Sequence, residues 1–159
     1  MSNSLSVRIV RLPALHVASV HGFGKEPEAA AWQQLTVWAG PLGLLDKPDQ
    51  HRIFGFNNPN PAHGSPHYGY EFWITVEADV TPTADVDLKD FPGGLYAVTR
   101  CEVRNDPGDQ IPATWQQLVR WREGSKYKSA RHQWLEEHIS TSELTEGNFV
   151  LDLYLPIAE

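Results

Sequence analysis

Two carboxylates stand where a strand would ordinarily carry an apolar side chain. Glu71 falls in the middle of residues 68–76, YGYEFWITV. That run is dense in aromatic and β-branched residues, which predicts a strand. At a side-chain period of two, Glu71 shares a face with Trp73 and Thr75, while Tyr70, Phe72, Ile74 and Val76 form a core face. An aromatic wall beside a carboxylate suits a lipophilic cation, through charge attraction and contact with the ring faces. The alternative is an ion pair with an arginine on a neighbouring strand, such as Arg100. Glu136 repeats the arrangement. Read as a strand, residues 133–139 put Trp134, Glu136 and His138 on one face and Leu135, Glu137 and Ile139 on the other. Its alternative is a partly exposed strand edge.

Other chemistries find less support. His63, His67 and Glu71 recur at intervals of four, but Pro61, Gly64 and Pro66 forbid the helix that would bring them together. No cysteine or second histidine cluster lies at ligand spacing, so neither a metal nor a cofactor is expected. The nucleophile elbow Gly-x-Ser-x-Gly, the phosphate-binding loop and the dinucleotide fingerprint Gly-x-Gly-x-x-Gly do not occur. Cys101, between Arg100 and Glu102, reads as a packed strand thiol.

The composition sets outer bounds. A chain of 159 residues, 41% hydrophobic and 21% charged, fits one globular domain with a real core. A single cysteine allows no internal disulfide and suits a reducing, cytoplasmic setting. No apolar run approaches the ~20 residues of a membrane span, and the N-terminus MSNSLSVRIV lacks a signal-peptide pattern. The net charge of −7 argues against nucleic acid, whose phosphates require clustered Lys and Arg, and leans toward neutral or cationic ligands.

The elements that must position these residues come twice. Residues 31–38, AWQQLTVW, return as TWQQLVRW at 114–121, 83 positions on, and four of the six tryptophans lie in these two segments. In each copy the large apolar groups fall at i, i+3 and i+6, one broad face of an α-helix laid on a sheet. An internal duplication is expected, with halves 1–81 and 82–159 joined near residues 82–84. In the first half, residues 7–12 and 15–20 read as a β-hairpin. A helix follows from Glu26-Pro27-Glu28 to Gly40-Pro41, then strands at 52–57 and 68–76 around a loop, 57–66, that holds three prolines and a glycine. In the second half, strand 86–91 turns through Pro92-Gly93-Gly94 into its hairpin partner 95–103. Residues 107–112 read as loop, with Pro112 opening the second Trp helix. Strands at 133–139 and 149–157 close the half. Each half is thus β-β-α-β-β, and the fold class is α+β, with two antiparallel sheets each carrying a helix and a ligand cleft between the halves.

At this point the chain resembles the gyrase-inhibitor-like (GyrI-like) small-molecule-binding domains, found alone and as effector-binding halves of AraC-type and MerR-type regulators. The likeness rests on Tyr70-Glu71 with Ile74-Thr75-Val76, on residues 92–98 (PGGLYAV), on residues 115–121, on Leu135-Glu136 and on residues 153–157 (LYLPI). It spans nearly the whole chain. The resemblance implies a duplicated β-α-β-β unit with pseudo-two-fold symmetry, binding ligands in the groove between its halves. It also implies an aromatic pocket with a buried glutamate that receives lipophilic cations. The Leu-Glu pair near the C-terminus carries that glutamate in the family and matches Glu136, and Tyr154 matches a pocket tyrosine of the last strand. The site expected is therefore a cleft lined by Tyr68, Trp73, Tyr96, Trp134 and Tyr154, with Glu136 and Glu71 at its floor. No helix-turn-helix precedes the domain, so a complete regulator of the usual design is not expected. The family suggests no role for loop 57–66.

Three functions follow. The first is a stand-alone binding protein for hydrophobic, cationic small molecules, serving sensing or sequestration. The second is a hydrolase that opens strained rings of electrophilic compounds, with a pocket glutamate and tyrosine handling the proton. The third is a protein-interaction role, as in gyrase inhibition, with the acidic surface meeting a basic partner.

Overall fold

The structure, a computed structural model, describes residues 5–47, 49–83, 85–104, 106–139 and 148–159. In chain order its elements are β1 (Val7–Leu12), β2 (Leu15–Gly24), α1 (Pro27–Ala39), a 3-10 turn (Leu44–Asp46), β3 (Ile53–Asn57) and β4 (Tyr68–Thr75). They continue with β5 (Asp87–Phe91), β6 (Gly94–Arg104), α2 (Pro107–Glu123), β7 (Lys128–Ser129), β8 (Leu135–His138) and β9 (Asn148–Ala158). The α+β class is as expected.

The chain forms two compact units. One runs from Ala14 to Pro92 and contains α1; the other takes the residues up to Pro13 and those from Gly93 on, and contains α2. Within the α1 unit the strands pair antiparallel in the order β5-β2-β4-β3. Within the α2 unit they pair antiparallel in the order β1-β6-β9-β8, and β7 adds to the end of β9. The units part at Pro13 and Pro92. The join expected at residues 82–84 lies elsewhere, and its Ala84 is outside the described residues.

Both expected hairpins are absent. β1 pairs with β6, not β2, and β5 pairs with β2, not β6. A two-residue hairpin needs positive φ at its centre, and Pro13-Ala14 offers no residue suited to it. The chain therefore runs on from β1 into β2 and enters the other unit. The return at Pro92-Gly93 does use a left-handed glycine, with φ +82 at Gly93, but its backbone lies against β1: a Cβ there would collide with the Leu12 carbonyl oxygen. Gly93 thus serves the β1–β6 pairing rather than a hairpin.

Each Trp helix lies on strands of its own unit. In the α1 unit Ala31, Leu35, Trp38 and Ala39 are buried against Ala18, Val20, Tyr70, Phe72 and Ile74, and Trp32 sets its ring edge-on to Phe72 at 5.3 Å. The close seat depends on Gly22, where a Cβ would lie 2.5 Å from the Pro27 carbonyl oxygen. In the α2 unit Leu118, with Trp115, Val119 and Trp121 partly buried, covers Ala97, Cys101, Leu151, Leu153 and Leu155. α2 begins five residues earlier than expected, at Pro107, so Pro112 lies inside it. The extra turn is held by Asp106, whose carboxylate caps Asp109 N, and by Gln110, which bonds the Arg104 N–H and the Glu102 carbonyl. Pro107 at the first helical position loses nothing by lacking an N–H.

Candidate functional site

Glu71 is buried, with 3% of its side chain exposed, and four donors converge on it. Its β4 position pairs with His21 of β2 and Phe56 of β3, on the sheet face opposite α1. Oε2 accepts from Ser19 Oγ (2.7 Å), Trp73 Nε1 (2.6 Å) and Lys89 Nζ (2.8 Å), and Oε1 from Asn58 Nδ2 (2.9 Å). Burial alone pushes this carboxyl pKa up, but the hydrogen bonds from Lys89, Ser19, Asn58 and Trp73 together outweigh it and hold it below the ordinary value. Glu71 is thus an ionised carboxylate. The ion-pair alternative holds for it with a different cation: Lys89 of β5 takes the place proposed for Arg100, which instead bonds Asp152 at 2.9 Å.

A cavity of about 590 Å³ opens over this carboxylate, lined by Ser19, His21, Gln34, Asn58, Pro59, Asp85, Asp87 and Lys89. Three carboxylates face one ammonium in it. Asn58 comes from the loop that had no expected role, and His21 Nε2 donates to its carbonyl oxygen at 2.6 Å, pinning the loop's start to β2. Trp73, buried beside Glu71 and behind the cavity lining, is wedged edge-on to Phe56 at 4.9 Å and tilted on Phe91 at 5.3 Å.

The remaining expected residues fall into other groups. Tyr68 lies on the α1 side of β4, where its hydroxyl reaches both carboxylate oxygens of Glu28 at 2.6 and 2.7 Å, away from Glu71 and Trp73. Glu136 pairs with Leu153, a core residue beneath α2, and accepts from Trp115 Nε1 at 3.2 Å. Trp134, ahead of β8 and 42% exposed, tilts on Trp115 at 5.2 Å, so Glu136, Trp134 and the helix tryptophan do come together. Tyr154 does not join them. It pairs with Leu135, which places it on the opposite sheet face with Glu137.

That opposite face gathers Tyr154 and Tyr96, both expected in the site, around Glu137, which the sequence reading passed over. The Tyr154 hydroxyl donates to Glu137 Oε1 at 2.7 Å, and both residues are buried. Tyr96 meets the Tyr154 ring edge-on at 5.3 Å and donates its hydroxyl to the Gln133 carbonyl. Burial, reinforced by the neighbouring Tyr154, pushes the Tyr96 hydroxyl pKa well above its usual value, so it stays a donor. Asp152 on the same face is buried between Arg8 and Arg100. The sequence signal was the second glutamate of Leu135-Glu136-Glu137: a one-residue step moves a strand side chain to the other face. Ser19, Asn58 and Lys89 had no local signal at all, because they meet Glu71 only through strand pairing.

The other candidates have structural duties. Cys101 is packed in the α2-unit core, and burial raises its thiol pKa, away from nucleophilic use. His67 stacks on Phe23 at 6.5 Å. Among the described residues no helix is long and apolar enough to cross a membrane.

The family model for the GyrI-like small-molecule-binding domain matches residues 5–158. No curated protein sequence matches the chain. Among solved structures, the EcmrR C-terminal domain is 11% identical with a TM-score of 0.67, the match covering 98% of each chain. In the EcmrR–DNA complex the match covers 97% of this chain but 57% of the other, with 13% identity and a TM-score of 0.68. A hydrolase from Listeria innocua is 12% identical over 99% of this chain and 94% of its own, with a TM-score of 0.67. SAV2435 bound to tetraphenylphosphonium is 12% identical over 97% and 94%, with a TM-score of 0.60. At these identities the structures share a fold with this chain.

Proposed function

Because the chain belongs to the GyrI-like small-molecule-binding domain family, we propose that it binds a small hydrophobic, cationic molecule, for sensing or sequestration, and reads its charge at Glu71. The observation that carries this reading is a buried, ionised carboxylate at the floor of a ligand-sized cavity, next to the ring of Trp73. A carboxylate so placed costs several kcal/mol unless a cation or donors meet it, which makes the position specific for positive charge. Tetraphenylphosphonium bound to SAV2435 is a cation of this kind in a protein of the same fold. We further propose that the two units, which repeat one strand order around one helix each, descend from a duplicated unit.

The test is a thermal-shift screen against cationic dyes and drug-like amines, followed by calorimetry on a hit and a neutral molecule of similar shape. Glu71→Gln should weaken the cation by about 1.5–3 kcal/mol, the range for hydrogen bonds to charged groups, and leave the neutral molecule unchanged. Equal loss for both molecules, or for neither, would remove Glu71 from the site.

One observation favours a second reading. The Tyr154–Glu137 bond joins a carboxylate and a phenol, the pair a ring-opening hydrolase would use to take a proton from water and to hand one on. A relative in fold is a hydrolase. Consumption of a strained electrophile, rather than its simple binding, distinguishes this reading from the first.

A further inference from the structure

Lys89 occupies the position a cationic ligand would need. Its ammonium lies 2.8 Å from Glu71 Oε2, yet its side chain is 45% exposed while that of Glu71 is 3% exposed. It projects from β5, the last strand in the α1-unit order, which among the described residues pairs with β2 alone. The carboxylate is therefore held by Ser19, Trp73 and Asn58, whereas the cation on it ends a long side chain that is nearly half exposed. Turning Lys89 outward lets its ammonium regain full hydration and leaves Glu71 with three neutral donors. Asp85 and Asp87 line the same cavity, so the vacated space is bounded by three carboxylates and no ammonium.

We infer that Lys89 is a tethered competitor at Glu71, and that the cavity takes organic cations bearing N–H groups, primary ammonium or amidinium, which replace Lys89 on Oε2. The inference rests on the reading of Glu71 given above and narrows it. The cavity lining is what selects the class. Gln34, Asn58, His21 and the two aspartates supply hydrogen-bonding groups around the carboxylate, with Trp73 at its side. A cation that carries N–H groups makes the bond that Lys89 gives up. A quaternary ammonium or phosphonium makes none, and leaves Oε2 short of a charged donor after displacing the lysine.

The test uses the whole chain and two probes, 4-phenylbutylammonium and its N,N,N-trimethyl counterpart, titrated by calorimetry at low salt. Lys89→Met keeps the apolar stem and removes the competitor. It should bind the primary ammonium at least tenfold more tightly than wild type, with a smaller gain for the trimethyl form. Lys89→Arg keeps a tethered cation and should restore wild-type affinity. A parallel readout needs no variant: in wild type, the primary ammonium should move the Lys89 Cε–Hε signals to those of a free lysine. Binding by wild type with no gain in Lys89→Met, or with stationary Lys89 signals, overturns this inference alone. An equal gain for both probes overturns the assigned ligand class. No binding of either probe by any form overturns both this inference and the reading of Glu71 beneath it.

Discussion

At the scale of single residues, a position is decided by parity and by neighbours. The stretch Leu135-Glu136-Glu137-His138 offers two adjacent carboxylates, and their places one step apart on β8 send them to different surroundings. Glu136 meets Trp115 under α2, and Glu137 meets the Tyr154 hydroxyl. His138 follows the parity of Glu136 and pairs with the core residue Leu151. The residue keeps some exposed surface, but its ring nitrogen Nδ1 is secluded from solvent, and burial holds its pKa down to about 3 from 6.5. The sign of the consequence follows from that depression. Between 6.5 and 3 the unfolded chain takes up a proton that the folded chain refuses, so falling pH through this window removes stability. Wild type should lose about 2 kcal/mol between pH 7 and pH 5 through this residue, and His138→Gln should lack that part of the loss. Urea midpoints at both pH values for the two proteins check it; parallel losses would return His138 to an ordinary titration.

At the scale of elements, the two Trp helices carry most of what the sequence pattern promised. The stripe at i, i+3 and i+6 does face the sheet, but unevenly: Leu35 is fully buried and Trp38 is 7% exposed, while Trp32 packs only partly against the core. Trp38→Ala should therefore cost about 3–5 kcal/mol by leaving a cavity between α1 and its sheet. The adjacent Val37 is 69% exposed, and Val37→Ser should stay within about 0.5 kcal/mol of wild type. Chemical denaturation of the pair reads both. A loss under 1 kcal/mol for Trp38→Ala would mean the helix is not held by that ring. β4 is the other element that the sequence defined well. Its face assignment put Glu71 with Trp73, and the two do bond; Tyr68, expected in the ligand cleft, instead follows the parity of Tyr70 and Phe72 and bonds Glu28.

At the scale of the whole chain, the main feature is an exchange of first strands. The chain contributes β1 to the unit that holds β6 and β9, and β5 to the unit that holds β2 and β4. Removing residues 1–13 should consequently damage the α2 unit, whose β6 keeps β9 but loses the strand on its other side along Gly94 to Thr99. Hydrogen exchange should quicken more at Ala97 and Thr99 than at Phe72 and Ile74 of the α1 unit. Faster loss in β2 and β4 would mean that β1 supports the α1 unit, as a hairpin would have required.

The sequence by itself determined what depends on local periodicity and local stops. The α+β class, the bounds of α1, the strands around Phe54, Phe72 and Leu153, and the face on which each carboxylate stands follow from periods of two and 3.6 and from Pro and Gly at their ends. Resemblance added the family, which the match over residues 5–158 bears out. Tertiary structure alone decided the partners. Alternation says which way a side chain points but not which strand lies beside it, so the exchange of β1 and β5 was invisible. So was the meeting of Glu71 with Lys89, 18 residues on, with Ser19, 52 residues back, and with Asn58 from a neighbouring loop. Those bonds form because β2 lies between β4 and β5, bringing three strands' side chains onto one face, and that order comes from packing the whole unit around α1.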